Sequence, residues 1–337
     1  MKLAASILAI IASAATSVSA AETRLSIAGP SGALQGTLAA PDGGRKAPIA
    51  IIIPGSGPTD RDGNNPLGVT AGSYRLLAEA LAAKGVSTIR IDKRGLFGSS
   101  AAAADADNVR MADLADDVRA WGQEAQKRAS TRCAWLIGHS EGSLVALIAA
   151  QQPEGICGLI LVAGAGRKMG DILREQLKAN PANAPILAQA LAAIEELEAG
   201  RRVDVSGMHP ALMALFRPSV QGFVIDQMSY DPSQLLARYP GPVLVLQGTT
   251  DLQISMQDAQ RLAGEVAYRV SRWSDAVSYL RRGGGPPDSE PELLFYLAVS
   301  LFESGDRSEA AAVLRRSLPN LQRSPYVDAY ARKILGQ

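Results

Sequence analysis

Hydrophobic and polar positions fall into two alternating rhythms from Arg24 onward. Leu25–Ile27 and Ala33–Ala39 have the short mixed pattern of an antiparallel pair that opens a sheet. Ala47–Ile53 is apolar almost throughout and stops at Pro54-Gly55, as a strand buried on both faces should. Helical periodicity then predicts a helix over Ala71–Lys84, with Gly85 as its C-terminal stop. Val86–Ile91 reads as the next strand and Met111–Ala125 as an amphipathic helix. Cys133–Gly138, Gly142–Ala150 and Gly158–Ala163 continue the rhythm as strand, helix and strand. Such alternation predicts an α/β fold: a mostly parallel sheet with helices on both faces.

The rhythm changes between about Gly166 and Ala237. Ala- and Leu-rich helical segments there are interrupted by Pro181, Pro185, Pro210 and Pro218, the look of a helical lid inserted above a sheet. Pro242–Gln247 restores a buried strand and Ser255–Leu262 a helix. Beyond about Gly264 the pattern is helical only. Trp273–Arg282 recurs as Arg307–Arg316, with Ala276/Ala310 and Leu280/Leu314 each 34 positions apart. Leu294, Leu297, Ala298 and Leu301 form a helical stripe between them, and Gly305-Asp306 marks a turn. This tail resembles tetratricopeptide repeats, one full repeat plus the second helix of another. Two amphipathic helices unrelated to any repeat would give the same stripe. Repeats this few do not stand alone, so the tail is expected to dock on the body.

The N-terminus reads as a processing segment. Lys2 precedes an apolar run from Leu3 to Thr16, and Val18-Ser19-Ala20 fits a small-x-small cleavage site. The run is too short for a comfortable membrane span, and no lipid-anchor cysteine accompanies it. A periplasmic or secreted protein without a stable membrane anchor is expected. The expected organisation is a signal peptide over 1–20, a body over 21–265 with its lid at about 166–237, and a helical tail over 266–337.

Composition narrows the chemistry. The 337 residues are 47% hydrophobic and 20% charged with a formal net charge of +1, so nothing calls for nucleic acid as a partner. No His/Cys/Asp/Glu cluster has ligand spacing and no phosphate or dinucleotide loop appears, so neither metal nor cofactor is expected. The two cysteines, Cys133 and Cys157, open neighbouring strands; a disulfide and two buried thiols both fit that position.

The motif that carries chemistry is Gly138-His139-Ser140-Glu141-Gly142, a G-x-S-x-G between a buried strand and a helix. Such an elbow exposes its serine at a helix N-terminus, where free N–H groups favour developing negative charge. Ser140 is therefore the candidate nucleophile.

With this elbow, Pro54 to Asn64, the Asp92-Lys93-Arg94-Gly95 loop with Gly98-Ser99, and Gln247-Gly248-Thr249-Thr250-Asp251, the stretch from Ala21 to about Gly264 resembles the α/β-hydrolase superfamily, specifically its secreted bacterial serine esterases. The resemblance implies a small-molecule ester as substrate. It also implies an oxyanion hole from the backbone N–H groups of Ser56 and Glu141, and Asp251 as the triad acid. The Glu141 side chain is expected to be an exposed helix-start carboxylate, with a contact to substrate as the other reading.

One member of the triad is missing. The histidine should follow Asp251 in a loop after one more strand, yet the chain has only His139 and His209, both before it. His139 sits beside the serine and should point away from it. The candidate substitute bases are His209, in the lid, and Lys93. The fold therefore reads as an α/β hydrolase lacking its last strand, which would leave Pro242–Gln247 as an apolar sheet edge unless the tail covers it. Two functions fit: a serine esterase of weakened or lost activity, and a non-catalytic binding protein whose helical tail recruits a protein or peptide.

Overall fold

A computed structural model describes residues 21–41 and 47–336. The expected signal peptide lies outside them. Among the described residues seven strands form one sheet: β1 (Ala21–Ala28), β2 (Ala33–Ala40), β3 (Ile49–Ile53), β4 (Ser87–Ile91), β5 (Ala134–His139), β6 (Ile156–Val162) and β7 (Val243–Leu246). Their spatial order is β1-β2-β4-β3-β5-β6-β7. β2 is antiparallel to both its neighbours, and every pairing from β4 to β7 is parallel. All five residues of β3 are buried, as an apolar run covered on both faces must be.

Helices α1 (Ser73–Ala82), α2 (Met111–Ala129) and α3 (Glu141–Ala149) alternate with the strands. On one face, Ile51, Ile53, Leu136 and Leu161 pack with Trp121 of α2 and with α3. Every residue of α3 is buried, so its apolar character all round is a packing requirement. On the other face Tyr74 and Ala78 of α1 meet Ala50, Ile52 and Ile137.

The lid is helical as expected: α4 (Met169–Ala179), α5 (Leu187–Glu198), α6 (Met213–Phe216), α7 (Gln221–Met228) and α8 (Pro232–Arg238). It has its own small core around Ile194, Leu197, Leu212 and Phe216. Arg167 at its start is held by the buried Asp258, whose Oδ1 also accepts from the Gly166 N–H. Five helices complete the chain: α9 (Met256–Arg269), α10 (Trp273–Arg282), α11 (Pro291–Glu303), α12 (Arg307–Ser317) and α13 (Pro325–Leu335). Ala276 and Ala310 are equally buried, as are Leu280 and Leu314, so the positions that recur in sequence do the same work in packing.

Two expectations about this end change. The boundary placed at 265/266 falls inside α9, a continuous helix. Its Leu262 belongs to the core of the sheet and its Ala267 to that of the tail. One helix with two apolar faces serves both, so no linker separates them. Nor does the tail shield the sheet edge: among the described residues β7 pairs only with β6, while Leu244 and Leu246 remain 50% and 44% exposed. They project with Ile160 and Val162 onto the face that α1 covers further along the sheet. The tail reaches β7 through α9, which packs on the opposite face with the half-buried Val243 and Val245. Cys133 and Cys157, left open by sequence, form a disulfide between the starts of the β5 and β6 segments.

Candidate active site

Ser140 sits between β5 and α3 at φ 53° and ψ −117°, a conformation that side chains other than glycine rarely adopt. Strain of this kind costs about 1–3 kcal/mol and persists only where the surroundings impose it. Here the cause is close packing. A Cβ at Gly138 would lie 2.3 Å from the Gly142 carbonyl oxygen, and one at Gly142 would lie 2.4 Å from that of Ile53. The Ser140 N–H is tied to the Val162 carbonyl at 2.9 Å, and the Ser143 hydroxyl donates to the Gly138 carbonyl at 2.7 Å. The elbow expected from sequence is therefore present.

The turn after β3 lies against it. A Cβ on Gly55 would come within 3.4 Å of the Ser140 Cβ and 3.1 Å of His139 Nδ1. Among the described residues, neither the Ser56 N–H nor the Glu141 N–H has an intramolecular acceptor. Both are free donors, one on the turn after β3 and one at the residue that follows Ser140.

Lys93 and Glu141 depart from expectation. Glu141 is buried, and its Oε1 lies 3.1 Å from Lys93 Nζ. Its Oε2 accepts from Gln227 Nε2 of the lid at 3.3 Å. Neither a solvated helix-start carboxylate nor a free substrate contact describes it. Lys93 Nζ donates also to the Gly55 carbonyl at 2.7 Å. Both contacts tie the amine to the turn and to the elbow carboxylate, and Ser140 is not among its hydrogen-bond partners.

His139 is directed to Tyr74 of α1. Its Nδ1 lies 2.8 Å from the hydroxyl of the buried Tyr74, which also accepts from the Gly55 N–H at 3.2 Å. Burial holds the imidazole below its ordinary pKa, opposed by the negative charge of Asp251. Burial likewise pushes the Tyr74 phenol up. The imidazole tautomer sets which of the two groups donates in the Tyr74–His139 hydrogen bond.

Asp251 follows β7, as expected for the triad acid, but its carboxylate is occupied by its own loop. Oδ1 accepts from the Gln253 and Ile254 N–H groups at 2.8 and 3.1 Å, and Oδ2 from Gln247 Nε2 at 3.0 Å. His209 is exposed in the lid, where its Nδ1 accepts from the Ala211 N–H at 3.2 Å and caps a short helical turn. Neither Ser140 nor Asp251 has a histidine among its hydrogen-bond partners. The geometry brings together Ser140, Ser56 and Glu141, and sets Asp251 near His139; it leaves His209 outside.

Sequence reasoning missed Tyr74 and Gln227. Tyr74 falls on the apolar stripe of α1 and reads as core; Gln227 lies in the lid with no motif around it. The Asp92 loop proves to be scaffolding. Its buried carboxylate accepts from the Arg61 and Gly98 N–H groups, so the two loops are pinned together. A cleft of about 620 Å³ opens between α4, α9 and Pro287–Glu290, and no elbow residue lines it. Among the described residues no group of three or more His, Cys, Asp or Glu is placed to hold a metal ion. No described helix is long and apolar enough to cross a membrane.

A family model described as serine aminopeptidase, S33, matches residues 67–202, a stretch that contains Ser140 and stops short of Asp251. Esterase EstD of Thermotoga maritima is 22% identical over 260 residues, covering 75% of this chain and 59% of that protein. The chain thus spans less than two-thirds of that esterase. Among solved structures, the α/β hydrolase GrgF from Penicillium sp. sh18 superposes with a TM-score of 0.50 at 17% identity, over 73% of this chain and 86% of that one. The elbow, the sheet order and these likenesses agree: the chain has the fold of the α/β hydrolases and is similar to them over about three-quarters of its length.

Proposed function

We propose that this protein is a serine hydrolase of carboxylic esters that forms an acyl-enzyme at Ser140 without help from a histidine. The observation that carries this reading is the strained elbow of Ser140 flanked by the unused N–H groups of Ser56 and Glu141. Ser140 Oγ adds to the ester carbonyl and releases its proton to water, the two amides stabilise the oxyanion so formed, and its collapse breaks the bond to the alcohol, which takes a proton from water and leaves the acyl group on Ser140. The similarity to an esterase supports an ester rather than an amide.

Activity should be low. A serine without its general base is a weak nucleophile at neutral pH. The oxyanion donors and binding alone leave roughly 10³–10⁴-fold catalysis over water. His209, exposed and capping a turn, would act as base only after a lid movement that brings it to Ser140. The second reading, a binding protein that holds an ester or acyl ligand without turnover and recruits a protein or peptide through α9–α13, is favoured by the absence of a histidine partner at Ser140 and Asp251. Initial rates of p-nitrophenyl acetate and butyrate hydrolysis, measured beside Ser140→Ala, separate the two. A Ser140-dependent rate supports the hydrolase; ligand binding with no such rate supports the binding protein.

Export to a periplasm or beyond belongs to the same proposal. The disulfide between Cys133 and Cys157 supports it, since such bonds persist in oxidising compartments.

A further inference from the structure

Both polar atoms of Gly55 are held by side chains: its N–H by the Tyr74 hydroxyl at 3.2 Å and its carbonyl by Lys93 Nζ at 2.7 Å. The peptide joining Gly55 to Ser56 is trans, as are all the described peptide bonds. A planar trans peptide points its C=O and N–H in opposite directions. Fixing the Gly55 carbonyl on Lys93 therefore turns the Ser56 N–H away from Lys93, as a free donor. The same Nζ pairs with Glu141 at 3.1 Å, and Glu141 contributes the second donor from its backbone N–H.

We infer that the buried Lys93–Glu141 pair is a clamp that sets the two oxyanion donors against each other, with Lys93 as a positioning residue rather than a base. This rests on the reading of Ser140 as a nucleophile. The pair is 10% and 2% exposed at its side chains, so the ammonium has little water to turn to if either contact is lost. Gln227 bonds the far oxygen of Glu141 at 3.3 Å, which ties the clamp to the lid. A buried ion pair is costly to desolvate and is weak evidence for stability. A role in geometry accounts for its place beside the elbow.

The test uses the full oxidised chain and diethyl p-nitrophenyl phosphate in alkaline buffer. The Ser140 Oγ–P bond forms, the P–O bond to nitrophenol breaks, the serine proton goes to hydroxide, and p-nitrophenolate leaves. Labelling is followed by intact mass, with Ser140→Ala as control, at several reagent concentrations. If the parent chain is not labelled at Ser140, the nucleophile reading fails and this inference falls with it. If it is labelled, Lys93→Met should lower the limiting rate by about 10²-fold with little change in half-saturation, because a donor displaced by ~1 Å loses that much. Lys93→Arg, which keeps a charged donor, should regain most of the rate. Should Lys93→Met fail to fold, the double variant Lys93→Met/Glu141→Gln removes the stranded carboxylate. Its labelling should stay slow. A parent-like limiting rate in either Met variant, once folded, would overturn the inference.

Discussion

The hydroxyl of Tyr74 lies 2.8 Å from Nδ1 of His139, and the same oxygen receives the N–H of Gly55. One phenol thus joins α1, the residue before the nucleophile and the turn that faces it. Tyr74→Phe keeps the ring but strands two buried polar groups. We expect a loss of about 1–3 kcal/mol in denaturant unfolding. Arg75→Ala, which breaks only the exposed pair with Glu79, should cost at most about 1 kcal/mol. Equal losses in the two variants would contradict the assignment of Tyr74 as the linchpin of this turn.

Glu265 makes the joint between body and tail pH-dependent. It lies fully buried in α9, where the Ser233 hydroxyl of α8 donates to Oε2 at 2.7 Å and Oε1 has no partner. Asp231 faces it as a like charge, Arg269 as an opposing one, and Tyr296 of α11 adjoins it. Burial pushes the carboxyl up to about 8 from its ordinary 4.5. The folded protein then keeps a proton that the unfolded chain releases. Its contribution is full below the unfolded value and is lost as pH rises through the folded one. Melting temperature should fall between about pH 5 and pH 8, and Glu265→Gln should flatten that slope. Parallel profiles for the two proteins would rule Glu265 out as the cause.

The unpaired side of β7 predicts a solubility effect. Leu244 and Leu246 lie half exposed on a parallel edge strand, a template for pairing with another chain. Leu246→Lys should reduce light scattering during heating while changing stability by about 0.5 kcal/mol or less. Unchanged scattering would mean that aggregation starts elsewhere.

Much of the sheet was legible because its strands obey one simple rule. A run such as Ile49–Ile53 is apolar because both of its faces are covered, and the elbow is legible because only glycine fits at 138 and 142. What failed to show in sequence depends on partners distant along the chain. Glu141 looks like any carboxylate at a helix start until Lys93 and Gln227 arrive from other loops. Tyr74 carries the periodicity of a core residue, and nothing local announces that its hydroxyl has two partners. The division between body and tail was blurred for a related reason: α9 is apolar on two sides, and one-dimensional periodicity does not say which core each side enters. That both histidines precede Asp251, by contrast, is plain in the sequence, and neither of them is a hydrogen-bond partner of Ser140.

The most direct test of the central claim is to mix the protein with p-nitrophenyl butyrate and follow nitrophenolate and intact mass together. Acylation expels nitrophenolate, a good leaving group, whereas deacylation must activate water and expel a serine alkoxide with no base to help, so the acyl-enzyme should accumulate. The account predicts up to one equivalent of nitrophenolate, a butyryl group on Ser140, little turnover afterwards, and none of these in Ser140→Ala. Release that Ser140→Ala matches, or an adduct on any other residue, would contradict it.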